Sequence, residues 1–222
     1  MEIGSNFGGV LRTVSIADAL TDDLRSKVLD GVFVAGSAIT ETEVAVNYGV
    51  SRPTAKAAIV SLVHSGLLRR EANKPAHVPI LNRKDVEDLY FVRINIEASV
   101  VSYLAEKRIV PDGAEKAVIL LAEVAHDAPP STFVAADLAF HRSLVDAAES
   151  PRLSNLYAQL LGEIHLTMVQ SRYALGQERI VGEHGKVLKA LERGDGDSAK
   201  ALLAEHLAGA CEALSKVFDH LD

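Results

Sequence analysis

From Arg83 onward the whole chain reads as helix, and no other single feature narrows its possible folds so far. Apolar residues return at helical spacing, and the breaks fall at Pro111, Pro129, Pro130, Pro151, Gly176 and Gly194. These residue types open or close helices rather than continue them. The spacing predicts helices over residues 84–107, 111–127, 131–148, 152–174, 180–193 and 197–220. Six helices with short joints bury their apolar stripes most simply as an antiparallel bundle.

Residues 15–80 keep a different rhythm. Ile16, Ala19, Leu20, Leu24 and Val28 recur at helical spacing, and Gly31 ends that helix. A turn over residues 32–37 follows. Thr40 with Glu43 three residues later is a capping-box signal for a second, short helix that Gly49 stops. Ser51 then caps a third helix, with Pro53 tolerated in its first turn, a buried face at Ile59, Leu62 and Val63, and an end at Gly66. Strand-like pieces at residues 67–71 and 76–80 flank the turn residues Ala72, Asn73, Lys74 and Pro75. The predicted fold is therefore mostly α: a winged helix–turn–helix over residues 15–80, a linker at 81–83, and the all-helical bundle over 84–222. Residues 1–14 show no period and read as a mobile arm.

The net charge of −7 argues against nucleic acid until its distribution is examined. Residues 1–82 carry 8 basic and 8 acidic side chains, whereas residues 83–222 carry 15 and 22. An acidic bundle repels phosphate and a neutral N-terminal unit does not, so any DNA contact falls to the first part. No apolar run approaches the ~20 residues of a membrane span. The first ten residues lack the basic and apolar parts of a secretory signal. A single cysteine, Cys211, cannot form an internal disulfide and suits a reducing cytoplasm. Its simplest role is that of a small buried hydrophobe.

Tyr48, Gly49, Val50 and Ser51 make a turn short enough to cross two helices steeply. Arg52, Thr54 and Lys56 then lie on the first turns of the third helix, the positions from which a DNA-reading helix reaches base edges. Arg52 can grip guanine through two parallel hydrogen bonds. Ser51, Thr54 and Lys56 suit phosphates, Asn73 and Lys74 at the hairpin tip suit the adjacent minor groove, and Arg69 and Arg70 add charge near the backbone. The plain alternative is a small helical subdomain with solvated charges. The run from Ile39 to Leu68, with Gly49-Val50-Ser51-Arg52, Leu62 and Gly66-Leu67-Leu68 at its core, resembles the winged helix–turn–helix of GntR-type transcriptional regulators. This chain departs from that pattern at Thr42, where arginine is frequent, at Lys56-Ala57, where an Arg-Glu pair is frequent, and at Asn73, where the wing usually has glycine. Fewer planar forks remain for bidentate contacts.

The bundle carries an odd set of polar residues. Asp137 and His141 interrupt the stripe Val134, Leu144, Val145; His184 interrupts Val181, Leu188, Leu191; His206 interrupts Leu202, Leu203, Ala210, Leu214 and Val217. One carboxylate and three imidazoles from three helices thus point into one core. A divalent cation would offset the cost of burying them. Zinc suits a nitrogen-rich set best, and nickel, manganese or iron share its ligands. The alternative is a hydrogen-bonded core cluster. Among the other histidines, His165 is the best placed to join the cavity. Arg93 lies on the stripe Val86, Leu89, Ile96, Val100, Leu104, where it either pairs with Glu97 or clamps an effector carboxylate. Arg142 and Arg172 are further candidates for that clamp. The stretches Asp137-Leu138-Ala139-Phe140-His141-Arg142, Glu183-His184 and Glu205-His206-Leu207 look like the FCD effector domain of FadR-like GntR regulators, in the shorter, VanR-like form. In many of these an Asp and three His bind a metal.

The resemblance implies a bacterial regulator that binds operator DNA as a homodimer, senses a small organic acid through a metal-containing bundle, and is not an enzyme. The rival reading is a metal-dependent enzyme with water at an open coordination position. Against it, no general base stands beside the four residues, and the chain lacks the two Glu-x-x-His motifs that a di-iron site needs.

Overall fold

A computed structural model describes residues 15–125, 127–171 and 176–218. The expected arm at residues 1–14 lies outside them. The N-terminal unit opens with α1 (Ile16–Leu29), capped by Ser15, whose hydroxyl accepts from the Asp18 amide. The predicted capping box starts α2 (Glu41–Tyr48): the Thr40 hydroxyl accepts from the Glu43 amide while Glu43 accepts from the Thr40 amide. Gly49 ends α2 at φ 64°, ψ 31°, a left-handed conformation that glycine adopts without cost from a side chain. The chain then turns straight into α3 (Arg52–His64). Leu24, Ile59 and Leu62 are fully buried between these helices, each worth about 1.5–3 kcal/mol of transfer free energy.

The wing is smaller than the sequence predicts. β1 (Ala38–Ile39) pairs antiparallel with β2 (Ala76–His77), and residues 67–71 contribute a single bridge, Arg69 to His77. Leu67 and Leu68 instead turn back on α3, both amides reaching the Leu62 carbonyl, and bury their side chains in the core. Satisfying the last carbonyls of α3 outcompetes extension of the hairpin. The Ala38–Ile39 strand falls between the predicted turn and the Thr40 cap, because two residues carry no alternation to detect.

The second unit holds α4 (Arg83–Glu106), α5 (Asp112–Glu123), α6 (Pro130–Asp146), α7 (Pro151–Gln170), α8 (Gln177–Arg193) and α9 (Gly196–Phe218). All six predicted helices are present; five begin one to three residues earlier than predicted, α8 at Gln177 rather than 180, and several end earlier. α5 stops at Glu123 because Val124 is extended, and α7 stops at Gln170 rather than 174. α4 lies along α9, with α8 and α6 against them, α5 outside α6 and α8, and α7 against α6. Tyr90, Val101, Leu104, Phe140, Leu144, Leu191, Leu203 and Leu207 fill the centre. Among the described residues no helix is long and apolar enough to cross a membrane.

The two units meet along α7. A Cβ on Gly162 would lie 1.9 Å from the Ser65 carbonyl oxygen, so the end of α3 packs directly on the α7 backbone. Opposite it, Gly66 (φ 73°) faces Glu163. Arg69 reaches across with one nitrogen, 2.6 Å from Glu163 and 2.9 Å from Asp85, and Gln170 donates to the Pro79 carbonyl at 3.1 Å.

Candidate metal centre

The helical spacing that puts Asp137 and His141 one turn apart aims both into the bundle from α6, where α8 supplies His184 and α9 supplies His206. All four are buried, and one ligand atom from each lies within 4.8 Å of the others. His184 Nε2 is 3.3 Å from His206 Nε2 and 3.6 Å from Asp137 Oδ1, and His141 Nε2 is 3.8 Å from Asp137 Oδ2. Atoms bound tetrahedrally at 2.0–2.1 Å to one ion would stand about 3.3 Å apart, so the set needs only small adjustment to hold one. Its hydrogen bonding points the same way. Asp137 Oδ1 and His141 Nε2, both facing the cluster, are buried without a hydrogen-bond partner, a costly arrangement for a closed polar cluster; His184 Nδ1 is also unpartnered, on the other side of a ring that meets the cluster through Nε2. The His184 ring stacks on Phe140 with centroids 3.8 Å apart. Burial, then the neighbouring His141 and His206, holds its pKa well below the ordinary histidine value, which keeps the ring neutral as a ligand must be.

Behind these four lies Glu97, itself fully buried. It accepts from Arg93 Nε at 2.8 Å and from the Tyr157 hydroxyl at 2.8 Å, and its Oε2 lies 2.5 Å from His141 Nδ1. Burial alone would raise its pKa; Arg93 and His141 outweigh burial and hold it well below the usual carboxylate range. Arg93 is thus paired with Glu97, and it also lies over the Tyr90 ring at 4.8 Å, yet its Nη2 has no partner. His206 Nδ1 contacts Glu183 Oε2 at 2.8 Å, and that bond, ahead of the opposing desolvation and a further bond from Arg179, brings Glu183 down to about 2.

Other site expectations fare differently. Arg142 lies half-exposed and pairs with Asp146 at 2.6 Å, away from the four ligands. Arg172 lies outside the described residues. His165 does not join the cavity: it faces Arg25 of α1 and Asp30 at that helix's end, and burial followed by Arg25 lowers its pKa to about 4. In the N-terminal unit Arg52 and Lys56 are exposed on the outer face of α3. Ser51 caps that helix through the Thr54 amide and also shares a hydrogen bond with the Thr54 hydroxyl. Asn73, at φ 63°, and Lys74, paired with Glu71, form the exposed wing tip. Arg70 braces the wing against Glu41 at 3.0 Å, while Arg69 is engaged by α4 and α7.

A two-stranded wing on a helix–turn–helix, followed by a helical bundle with a buried Asp/His cluster, defines a DNA-binding regulator with an attached helical domain. The chain belongs to the FCD-domain family of GntR-type transcriptional regulators: the FCD domain matches residues 88–209, and the bacterial regulatory proteins of the gntR family match residues 16–78. Among its relatives, the HTH-type transcriptional regulator YdhC of Bacillus subtilis is 25% identical over 207 residues, covering 89% of this chain and 90% of its own. The HTH-type transcriptional repressor RspR of Escherichia coli is 21% identical, covering 87% and 86%. A solved GntR regulator from Rhodococcus sp. RHA1 superimposes with a TM-score of 0.74 at 22% identity, over 89% of this chain and 96% of that one, a likeness of fold. The family consists of transcriptional regulators, which sets the metalloenzyme alternative aside.

Sequence reasoning missed the extent of Glu97's contacts, and missed Tyr157 and the role of Glu183 altogether. The stripe pairing Arg93 with Glu97 signals only the i,i+4 contact; nothing in the spacing joins Glu97 to α6 or α7.

Proposed function

We propose that this chain is a cytoplasmic, metabolite-responsive repressor that binds a two-fold operator as a homodimer and holds one divalent ion, zinc first, on Asp137, His141, His184 and His206. The observation that carries the reading is the convergence of these four buried side chains, with Asp137 Oδ1 and His141 Nε2 facing the cluster unpartnered. The ion would supply an electrophilic anchor for an oxygen ligand. The chain's own charges fit an acidic one. Glu97 and Asp137 offset two of the three positive charges of Arg93 and a divalent ion, and the one left over favours a carboxylate. Arg93, with its free Nη2 donor, is the group to orient that carboxylate.

DNA is read by the exposed start of α3, with Arg52, Thr54 and Lys56 facing the major groove, Ser51 at its cap, and Asn73 and Lys74 at the wing tip. Arg69 and Arg70 serve from the wing's base, where each already has acidic partners. One such helix reads too few base pairs for genomic specificity, so two copies are required. The name of RspR supports repression.

Metal analysis of the purified protein and of His184→Ala, with operator binding followed while small organic acids are titrated, tests the reading. Wild type should carry one ion per chain and respond to an acid; His184→Ala should lose both while still binding operator. A wild type that cannot be loaded with any divalent ion overturns the metal assignment.

A further inference from the structure

We propose that Glu97 is a positioning residue of the candidate metal centre, holding the His141 ring so that Nε2 is the bare nitrogen facing Asp137, His184 and His206. The proposal takes its purpose from the metal reading above, but its geometry stands apart from that reading. Two of the three contacts Glu97 makes are with donors. Oε1 accepts from Arg93 Nε and from the Tyr157 hydroxyl, each at 2.8 Å, and Oε2 is left to His141 Nδ1 at 2.5 Å. A carboxylate buried against a guanidinium is ionised and can only accept. The hydrogen between Oε2 and Nδ1 therefore sits on the ring nitrogen. A ring whose Nδ1 hydrogen is held by Glu97 has only Nε2 to offer an ion, and Nε2 is the atom for which the protein supplies no partner.

The holding is rigid because the three donors come from α4, α6 and α7. The carboxylate cannot turn without abandoning one of them. Arg93 and Tyr157 thus bear on the His141 ring although neither is a ligand. His206 stands in contrast: its Nδ1 leans on Glu183, which is partly exposed and shared with the exposed Arg179 at 2.7 Å. His141 is the fixed point of the four, and His206 the adjustable one.

Two measurements on the full chain test this. Nitrogen-15 resonance of the ion-free wild type reads the His141 ring directly: a hydrogen on Nδ1 is expected, and a ring bare at Nδ1 with its hydrogen on Nε2 overturns the proposal whether or not any ion binds. Titration with Co²⁺ alone then reads affinity and visible absorption. Glu97→Gln should keep one ion per chain with affinity lower by about 10–100-fold, the usual cost of losing such a supporting group, and with an altered Co²⁺ spectrum. Tyr157→Phe, a milder change that retains the ion pair with Arg93, should weaken Co²⁺ binding to a lesser degree. Wild-type affinity and spectrum in both variants overturn the proposal and leave the metal reading standing. A wild type that binds no Co²⁺ sinks the metal reading, and the ring measurement still decides the role of Glu97.

Discussion

Residues of one type do different work here according to what surrounds them, and the arginines make the case. Arg93 is buried against Glu97, Arg69 is shared between Asp85 and Glu163, Arg70 props the wing on Glu41, and Arg52 stands exposed at the start of α3. Under the proposed mode of DNA binding, Arg52 is the one to read a base. Arg52→Ala is expected to cost about 1–3 kcal/mol of operator binding and to relax preference at one base position, whereas Lys74→Ala should weaken all DNA sequences alike and lower the salt dependence. Fluorescence anisotropy against operator and single-position variants checks both; equal operator affinity for wild type and Arg52→Ala would falsify the assignment. The four candidate ligands were legible because each breaks an apolar stripe, and a stripe is a local pattern. Glu97's wider role was not legible, because it depends on Tyr157 and His141 arriving from helices about 60 and 44 positions away, and no spacing rule reaches that far. His165 shows the opposite error. It faces α1 rather than the cavity, a distinction that rests on how the two units dock.

At the scale of elements, boundaries followed caps and glycines closely and strands poorly. Ser15, Thr40 and Ser51 each start a helix where side-chain chemistry predicts, because a cap is settled by residues three apart. The wing is settled by a pairing between residues 38–39 and 76–77, too short and too distant to leave a period. α7 is the element with the most obligations, since one side meets the bundle core through Tyr157 and Ile164 while Gly162 and Glu163 meet the winged unit. Gly162→Ala adds a methyl with nowhere to go: its position is 1.9 Å from a carbonyl oxygen of the backbone, which cannot swing aside like a side chain. The expected result is separation of the two units at this seam, seen as faster proteolysis around residues 79–83 and a larger radius of gyration in solution scattering. Unchanged cleavage and scattering would show that the seam yields at little cost. The gain in helix propensity, about 1 kcal/mol for Ala over Gly, works against any loss of global stability, so the seam and not the melting temperature is the quantity to watch.

For the whole molecule, the docking of the winged unit on α7 brings in a pH dependence. His165 is held neutral, with a pKa of about 4 against an ordinary 6.5, first by burial and then by Arg25. Above pH 6.5 neither the folded nor the unfolded chain protonates it, and the folded state has its full stability. As pH falls from 6.5 to 4 the unfolded chain takes up a proton that the folded chain refuses, so stability is lost across that window and the loss ends below it. Each pH unit there costs about 1.4 kcal/mol, of the order of 3 kcal/mol in all. Urea titrations at pH 7 and pH 5 should show this loss in wild type and a smaller one in His165→Gln; parallel losses in the two proteins would refute it. The backbone contact between Gly162 and Ser65, with Gly66 beside it, also limits how freely such proteins can be recombined. A chimera that grafts residues 15–80 onto a foreign sensory bundle inherits the operator-reading surface, but it seats only where the recipient helix offers a glycine and an acidic residue in the places of Gly162 and Glu163. Builders of hybrid biosensors from this chain should therefore match the recipient's counterpart of α7 to Gly162 and Glu163 before joining the units at the linker.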